Sequence, residues 1–300
     1  VPPRIAGRGF RCRRARTACH AWTRRGRTGL CAGGVHSSVG SVRTKLRRVT
    51  KLGVPPRIAG FYGMRRSLLA LATLVSGADV QTPVQWAVGL GGSSPDFGYG
   101  IASDGAGGVL VTGLLSGTAA FGTVSLTSKG GSDIYLAHSS DAGVVDWAVG
   151  MGGDESDVGY GITSDGAGGA FVTGSFSGTA AFGSVSLTSS GKTDVFVAHV
   201  GGAGVVDWAV GMGGVEGDQG YGIASDGAGG ALVTGSFEGT AAFGAASLTS
   251  RGFFDVFVAH VAHVNHTGVV DWAVGMGGAS ADYGSGIASD GAGGALVTRH

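Results

Sequence analysis

Four aspartates recur just ahead of a G-[YS]-G triplet, at Asp96, Asp157, Asp218 and Asp282, and Asp154 and Glu155 stand shortly before the second of them. Clustered loop carboxylates are the ligands that calcium prefers, so each of these loops is a candidate weak calcium site. The loops match neither an EF-hand nor a nonapeptide calcium repeat, and an aspartate that stabilises a turn is the favoured reading. A second set, Asp104, Asp165, Asp226 and Asp290, sits in SDGAGG. A serine before each aspartate raises acid or nucleophile chemistry, but no histidine stands nearby at a fixed spacing to act as base. A hairpin turn is therefore expected there. SDGAGG is also no phosphate loop, because no lysine follows it and no helix opens behind it.

His138, His199 and His260 occur once per copy of the repeat. Symmetry could gather such imidazoles into a metal site, since imidazole is a common ligand. Trp86, Trp147, Trp208 and Trp272 suit either an exposed sugar platform or a core; their phase with Val and Met favours the core. Phe121, Phe182 and Phe243 read as apolar plugs beneath a loop. Catalysis would need unique acid and base residues, whereas nearly every polar residue here has a copy one period away. No catalytic residue is nominated.

The elements that must position these residues follow from the period. Trp86, Trp147 and Trp208 are 61 residues apart, and Trp272 follows after 64, the extra three arising where DVFVAHV becomes DVFVAHVAHV. A fixed period of this length marks a repeat architecture. In the second copy Val145, Trp147, Val149 and Met151 alternate with smaller or polar residues, the period-2 pattern of a strand. Tyr160 to Ser164 and Ala170 to Phe176 flank the Asp-Gly-Ala-Gly-Gly turn as a hairpin, and residues 178 to 190 form a longer connection with one additional short strand. Asp194 to Val200 is the fourth principal strand. Helical periodicity is absent throughout.

The fold class is therefore all-β, with one antiparallel sheet of about four strands per repeat. Such a sheet cannot bury its face alone, so the repeats pack either radially as β-propeller blades, the favoured arrangement, or linearly as a solenoid. The sequence holds a first Trp strand at Val84–Leu90, three full units, and two strands of a fourth ending at Thr298. Both a four-bladed ring completed by the first Trp strand and a truncated part of a longer ring agree with that count.

The succession GYGIASDGAGGALVTGSF, then SLTSxGxxDVFVAHV, then GVVDWAVGMGG resembles the bacterial SBBP family, the seven-bladed beta-propeller repeats, over residues 84–298. The resemblance implies a propeller-like repeat protein, secreted or on the cell surface. It implies no activity and lends no catalytic residues. His138, His199 and His260 stand where that family usually has lysine, so the resemblance implies solvent exposure for them, and Ala or Val stands in place of the polar residue usual before the third strand.

Charge divides the chain. Residues 1–78 hold seventeen of the 21 Lys and Arg, all three cysteines and no acidic residue, whereas residues 79–300 carry four basic and twenty acidic side chains, a net of −16. A charge of that sign argues against nucleic acid as partner of the repeats, because phosphate binding requires Lys and Arg. The basic segment 1–63 repeats VPPRIAG, lacks apolar periodicity, and reads as disordered or as upstream sequence. From Met64 to Ala78, two arginines, an eight-residue apolar core and a small-residue cleavage site have the form of a secretory signal peptide, too short to span a bilayer. The expectation is a secreted or cell-surface scaffold, without enzymatic activity or cofactor, that holds an extracellular protein or glycan through its loops. The alternatives are a propeller-based hydrolase or lyase acting on extracellular polysaccharide, and a calcium-stabilised adhesive repeat.

Overall fold

The chain divides into two compact parts, Val1–Gln81 and Thr82–His300. A computed structural model describes residues 84–300. The basic segment 1–63 and the signal-like stretch 64–78 lie outside the described residues.

The described chain is all-β and antiparallel, with no helix. The second unit shows the plan most simply. Strands β6 (Val158–Ser164), β7 (Ala170–Phe176), β10 (Asp194–Val200) and β11 (Val206–Gly214) form a meander, with Ala198 opposite Val172 on one side and Ala209 on the other. Between β7 and β10 the chain leaves the sheet as a small hairpin, β8 (Thr179–Phe182) with β9 (Val185–Thr188). The first unit repeats this plan in β2 (Phe97–Ser103), β3 (Val109–Phe121), β4 (Val124–Ser139) and β5 (Val145–Gly153). The third does so in β12 (Gln219–Ser225), β13 (Ala231–Phe243), β14 (Ala246–Val264) and β15 (Thr267–Met276). In these two units the small hairpin is continuous with the long strands, across a register shift at Ser116/Thr118 and Glu238/Thr240. The residue skipped is Gly117 or Gly239, at φ +64° and +68°, a conformation that glycine adopts without penalty. The fourth unit shows β16 (Gly284–Ser289) and β17 (Ala295–Arg299).

Neighbouring units are stitched by their Gly-Gly pairs. Gly152 and Gly153, at the end of β5, pair with Ala181 and Ala180 of the next unit's small hairpin, and Gly213 and Gly214 do the same with Ala242 and Ala241. Gly91 and Gly92 (β1) make the corresponding pairs with Ala120 and Ala119. A side chain at Gly153 would run into the Thr179 carbonyl, so the approach depends on glycine.

The core lies between the sheets. Val195 and Val197 of β10 pack with Trp208 and Met212 against Val233 and Phe257 of the third unit. The intervening Phe196, Ala198 and Val200 face the opposite way, against Ile134, Leu136 and Met151 of the first. DVFVAHV is thus nearly all apolar because both faces of its sheet are covered. Sheets stacked in this way hold one another in place through burial of apolar surface on each side.

Two sequence expectations change. Residues 178–190 contain two short strands rather than one. Val84–Leu90 forms no strand; of that first Trp segment only the following Gly91–Gly92 is paired. In complete units the Trp strand is held by the strand before it, as Val149 is by Leu136. The three-residue insertion lengthens the β14–β15 hairpin to Val264 opposite Thr267, closed by Asn265 and His266 at φ +51° and +64°. Positive φ at both central residues is the twist a two-residue hairpin requires.

Candidate functional site

The recurring polar residues fall into three constellations. In the first, Asp157 is fully buried; its Oδ2 accepts the Gly153 N–H at 2.8 Å and its Oδ1 the Ser177 N–H at 3.0 Å. Asp218 does the same for Gly214 and Glu238, at 2.7 and 3.2 Å, and Asp96 for Gly92 and Ser116, at 2.7 and 3.1 Å. Asp282 accepts from Gly278 at 3.0 Å. These carboxylates satisfy the backbone donors where the Gly-Gly stitch ends and the next unit begins, and so serve the joint rather than the solvent.

A second carboxylate stands beside each joint. Asp133, Asp194 and Asp255 are buried, and their Oδ2 atoms accept the N–H of Lys129, Ser190 and Arg251 at 3.2, 3.0 and 3.0 Å. A Cβ on Gly152 would lie 2.6 Å from the Asp133 carboxyl carbon and 2.8 Å from Asp157 Oδ2, so the two acids converge on the space that glycine leaves. Burial, with the added charges of Asp133 and Glu155, pushes the Asp157 carboxyl up to about 6 against its two N–H bonds. Burial pushes Asp218 up to about 7, with Asp194 and Glu238 contributing. Burial also raises Asp133 and Asp194.

The calcium expectation fits this arrangement poorly. Both oxygens of Asp96, Asp157 and Asp218 face N–H donors, while Asp154 and Glu155 are exposed on the loop. Among the described residues no group of three or more His, Cys, Asp or Glu side chains is placed to hold a metal ion.

The second constellation centres on the SDGAGG turn. Oδ1 of Asp165 accepts the N–H groups of Ala167 and Gly169 at 2.7 and 2.8 Å, and Asp104, Asp226 and Asp290 repeat the pair. The other oxygen meets a histidine 34 residues downstream, with Asp104–His138, Asp165–His199 and Asp226–His260 all at 3.0 Å. The opposite ring nitrogen lies 3.0, 2.9 and 3.4 Å from Asp146, Asp207 and Asp271, and each imidazole stacks on the Trp across the ladder with centroids 5.7 to 5.9 Å apart. This corrects two sequence expectations. The histidines are largely covered, not solvent-exposed, and the turn aspartates do have a histidine partner. The signal was the constant interval of 34, which links a turn to the neighbouring strand of the same sheet and is invisible to a search among close neighbours.

The Asp104 carboxyl is held below the ordinary range first by its bond to His138 and then by its backbone bonds. For Asp165 and Asp226 burial works upward, but the backbone N–H and histidine bonds together outweigh it and the net shift is down. Asp290 is lowered by the backbone N–H bonds of Ala292 and Gly294, and its own backbone N–H adds to them. The turn serines are occupied locally, Ser164 Oγ accepting the Gly166 N–H at 3.1 Å. With both imidazole nitrogens facing carboxylates, no serine–histidine pair forms here.

The tryptophans serve the joints as well. Trp208 is buried, Trp86, Trp147 and Trp272 are half-buried, and the rings of Trp86 and Trp147 lie against Gly143 and Gly204 of the following unit. Phe121, Phe182 and Phe243 are buried in the small hairpins.

The third constellation was only half visible in the sequence. The loop after each Gly-Gly, at 154–156, 215–217 and 279–281, lies against the segment leading into the fourth principal strand, at 129–132, 190–193 and 251–254. Backbone bonds from Asp157 N to Ser132 O, Asp218 N to Thr193 O and Asp282 N to Phe254 O, at 2.7 to 2.8 Å, tie the two together. Here the copies differ: KGGS with DES, SGKT with VEG, RGFF with ASA. The second rim carries a 2.6 Å Lys192–Glu216 ion pair beside exposed Val215. The third carries exposed Phe253, edge-on to Phe254, which packs on Tyr283.

Comparison of the sequence with protein-family models finds no matching family, and comparison with curated proteins finds no similar sequence.

Proposed function

We propose that this chain is an exported, non-enzymatic repeat protein of the propeller type, related to the SBBP repeats, whose rim loops hold an extracellular protein or glycan. The observation that carries the reading is the third constellation. Residues that differ between copies gather in paired loops along the sheet ends, while the repeated polar residues are used in holding the joints. Rigid sheets that present variable loops are a common basis of recognition. The signal-like stretch from Met64 supports export, and the alternating four-stranded units support propeller blades.

Two measurements test it. A glycan array and a panel of extracellular proteins probed with the full chain should yield a ligand whose binding is lost in a Lys129→Ser, Lys192→Ser, Phe253→Ser variant of unchanged melting temperature. Binding that survives those changes would exclude the rim. Expressed from Met64 in a bacterial host, the chain should leave the cytoplasm with Asp79 at its N-terminus; intact chain retained inside would exclude export.

A further inference from the structure

The joint between the first and second units and the joint between the second and third are built alike, yet they differ by one charge. At the first, Lys129 stands at the entry to the fourth principal strand, and its ammonium donates to the Gly152 carbonyl at 3.4 Å, near the buried Asp133. One period on, Ser190 takes the place of Lys129, with Asp194 and Gly213 in the places of Asp133 and Gly152. The third copy carries a cation at this place again, Arg251. Of these three copies, the second alone has an uncharged residue there.

The second joint also opens to a cleft of about 290 Å³. Ser190, Asp194 and Gly213 line it, and Leu187, Met212 and Ala242 give it apolar walls. Asp194 is only 3% exposed; its Oδ2 accepts the Ser190 N–H at 3.0 Å, while its Oδ1 is buried and has no hydrogen-bond partner among the described residues. That oxygen lies against Gly213, where a Cβ would stand 2.6 Å from it and 2.8 Å from Asp218 Oδ2. Burial raises both Asp133 and Asp194. The charge of Lys129 opposes the rise at Asp133, and no cation among the described residues does so at Asp194.

Both oxygens of Asp218 are taken by N–H donors, so one free carboxylate oxygen remains here beside one backbone carbonyl. Calcium takes about six to eight oxygen ligands and is poorly served by such a pair. An ammonium has three donors and no acceptor, and an alkyl stem behind it can lie along apolar walls. We propose that the cleft at the second joint takes a primary ammonium group on a short alkyl chain, from a partner's lysine side chain or a free amine, in the place that Lys129 fills at the first joint. Because Ser190 belongs to the loops that differ between copies, this rests on the rim reading and names what one rim recognises.

Isothermal titration calorimetry on the full 300-residue chain tests it, with Nα-acetyl-lysine methylamide and n-butylamine as probes and Nα-acetyl-norleucine methylamide as the uncharged control. The amines should bind and the control should bind roughly tenfold or more weakly, since a charged donor is lost. Ser190→Lys should abolish binding by filling the cleft from within, and Lys129→Ser should add one further site at the first joint. Each substitution installs a residue that another copy already carries at that place, and near-ultraviolet dichroism verifies folding; Asp194→Asn, which should also weaken binding, replaces a variant that fails to fold. Tighter binding of the lysine derivative assigns the ammonium to a partner's lysine, tighter binding of butylamine to a free amine, and both support the cleft. No binding by either amine, equal binding of the norleucine control, or undiminished binding in Ser190→Lys overturns the proposal. An array ligand that is lost in the rim variant while neither amine binds the wild type overturns it and leaves the rim reading standing.

Discussion

Replacing Asp157 and Asp218 together by asparagine should remove most of a pH dependence that the buried joints impose. The wild-type carboxyls stand at about 6 and about 7, against 3.8 for an unperturbed aspartate. A raised acid binds its proton more readily folded than unfolded, so between the two values the folded state holds more protons and stability falls as pH rises. From pH 5 to pH 8 the loss is about 1 kcal/mol at Asp157 and about 2–3 kcal/mol at Asp218, at about 1.4 kcal/mol per pH unit of differential binding. Asparagine keeps one acceptor oxygen but turns its amide towards the second N–H donor, so the double variant forfeits hydrogen bonds at both joints while losing the titration. Urea unfolding midpoints for both proteins at pH 5 and pH 8 separate these effects, since every other titrating group is common to the pair. The wild type should lose about 3–4 kcal/mol between the two pH values and the variant much less. Equal slopes would show that the carboxyls ionise without cost and that the reasoning from burial is wrong.

The turn aspartates act in the opposite sense: held below 3.8, Asp104, Asp165, Asp226 and Asp290 should give stability that is lost as pH falls through and below that value, visible as acid unfolding in a circular dichroism titration. Asp165→Ala removes two backbone acceptors and the His199 contact and should cost about 2–3 kcal/mol in urea unfolding, whereas Asp290→Ala, which loses only the turn bonds, should cost less; equal losses would remove histidine from the account. Gly153→Ala should cost more than about 3 kcal/mol by breaking the stitch to β8, while Gly166→Ala, in open space at φ +78°, should cost about 1–2 kcal/mol for its backbone alone. Calcium and EDTA should both leave the melting temperature unchanged, because the loop carboxylates face N–H donors; a rise with calcium would reverse that assignment.

Strand boundaries were legible where two signals coincided. Ala170–Phe176 and Asp194–Val200 are read directly from the sequence, because alternation or continuous apolar character is bounded by glycine turns on both sides. The small hairpin was only half seen, since Thr179–Phe182 and Val185–Thr188 are too short for their period to speak without the Gly183 turn between them. Val84–Leu90 shows the converse: a strand pattern like that of Val145–Met151 forms no ladder here, and only the following Gly91–Gly92 is paired.

The polar residues were harder for a different reason. A loop aspartate such as Asp157 looks solvated in sequence, yet its neighbours Gly152 and Gly153 have no side chains with which to cover the backbone N–H groups at the joint. A buried donor needs an acceptor, and the aspartate four residues on is the nearest that can reach. The same accounting explains why Asp96, Asp218 and Asp282 recur at the same place after their Gly-Gly pairs. A residue repeated in every copy answers a need that every joint has, and is therefore poor ground for a site. The freedom to specialise falls to positions such as Lys129, Lys192 and Phe253, which no joint constrains to one identity. That is why the copy-to-copy differences, rather than the carboxylates that first suggest chemistry, point towards where this chain meets another molecule.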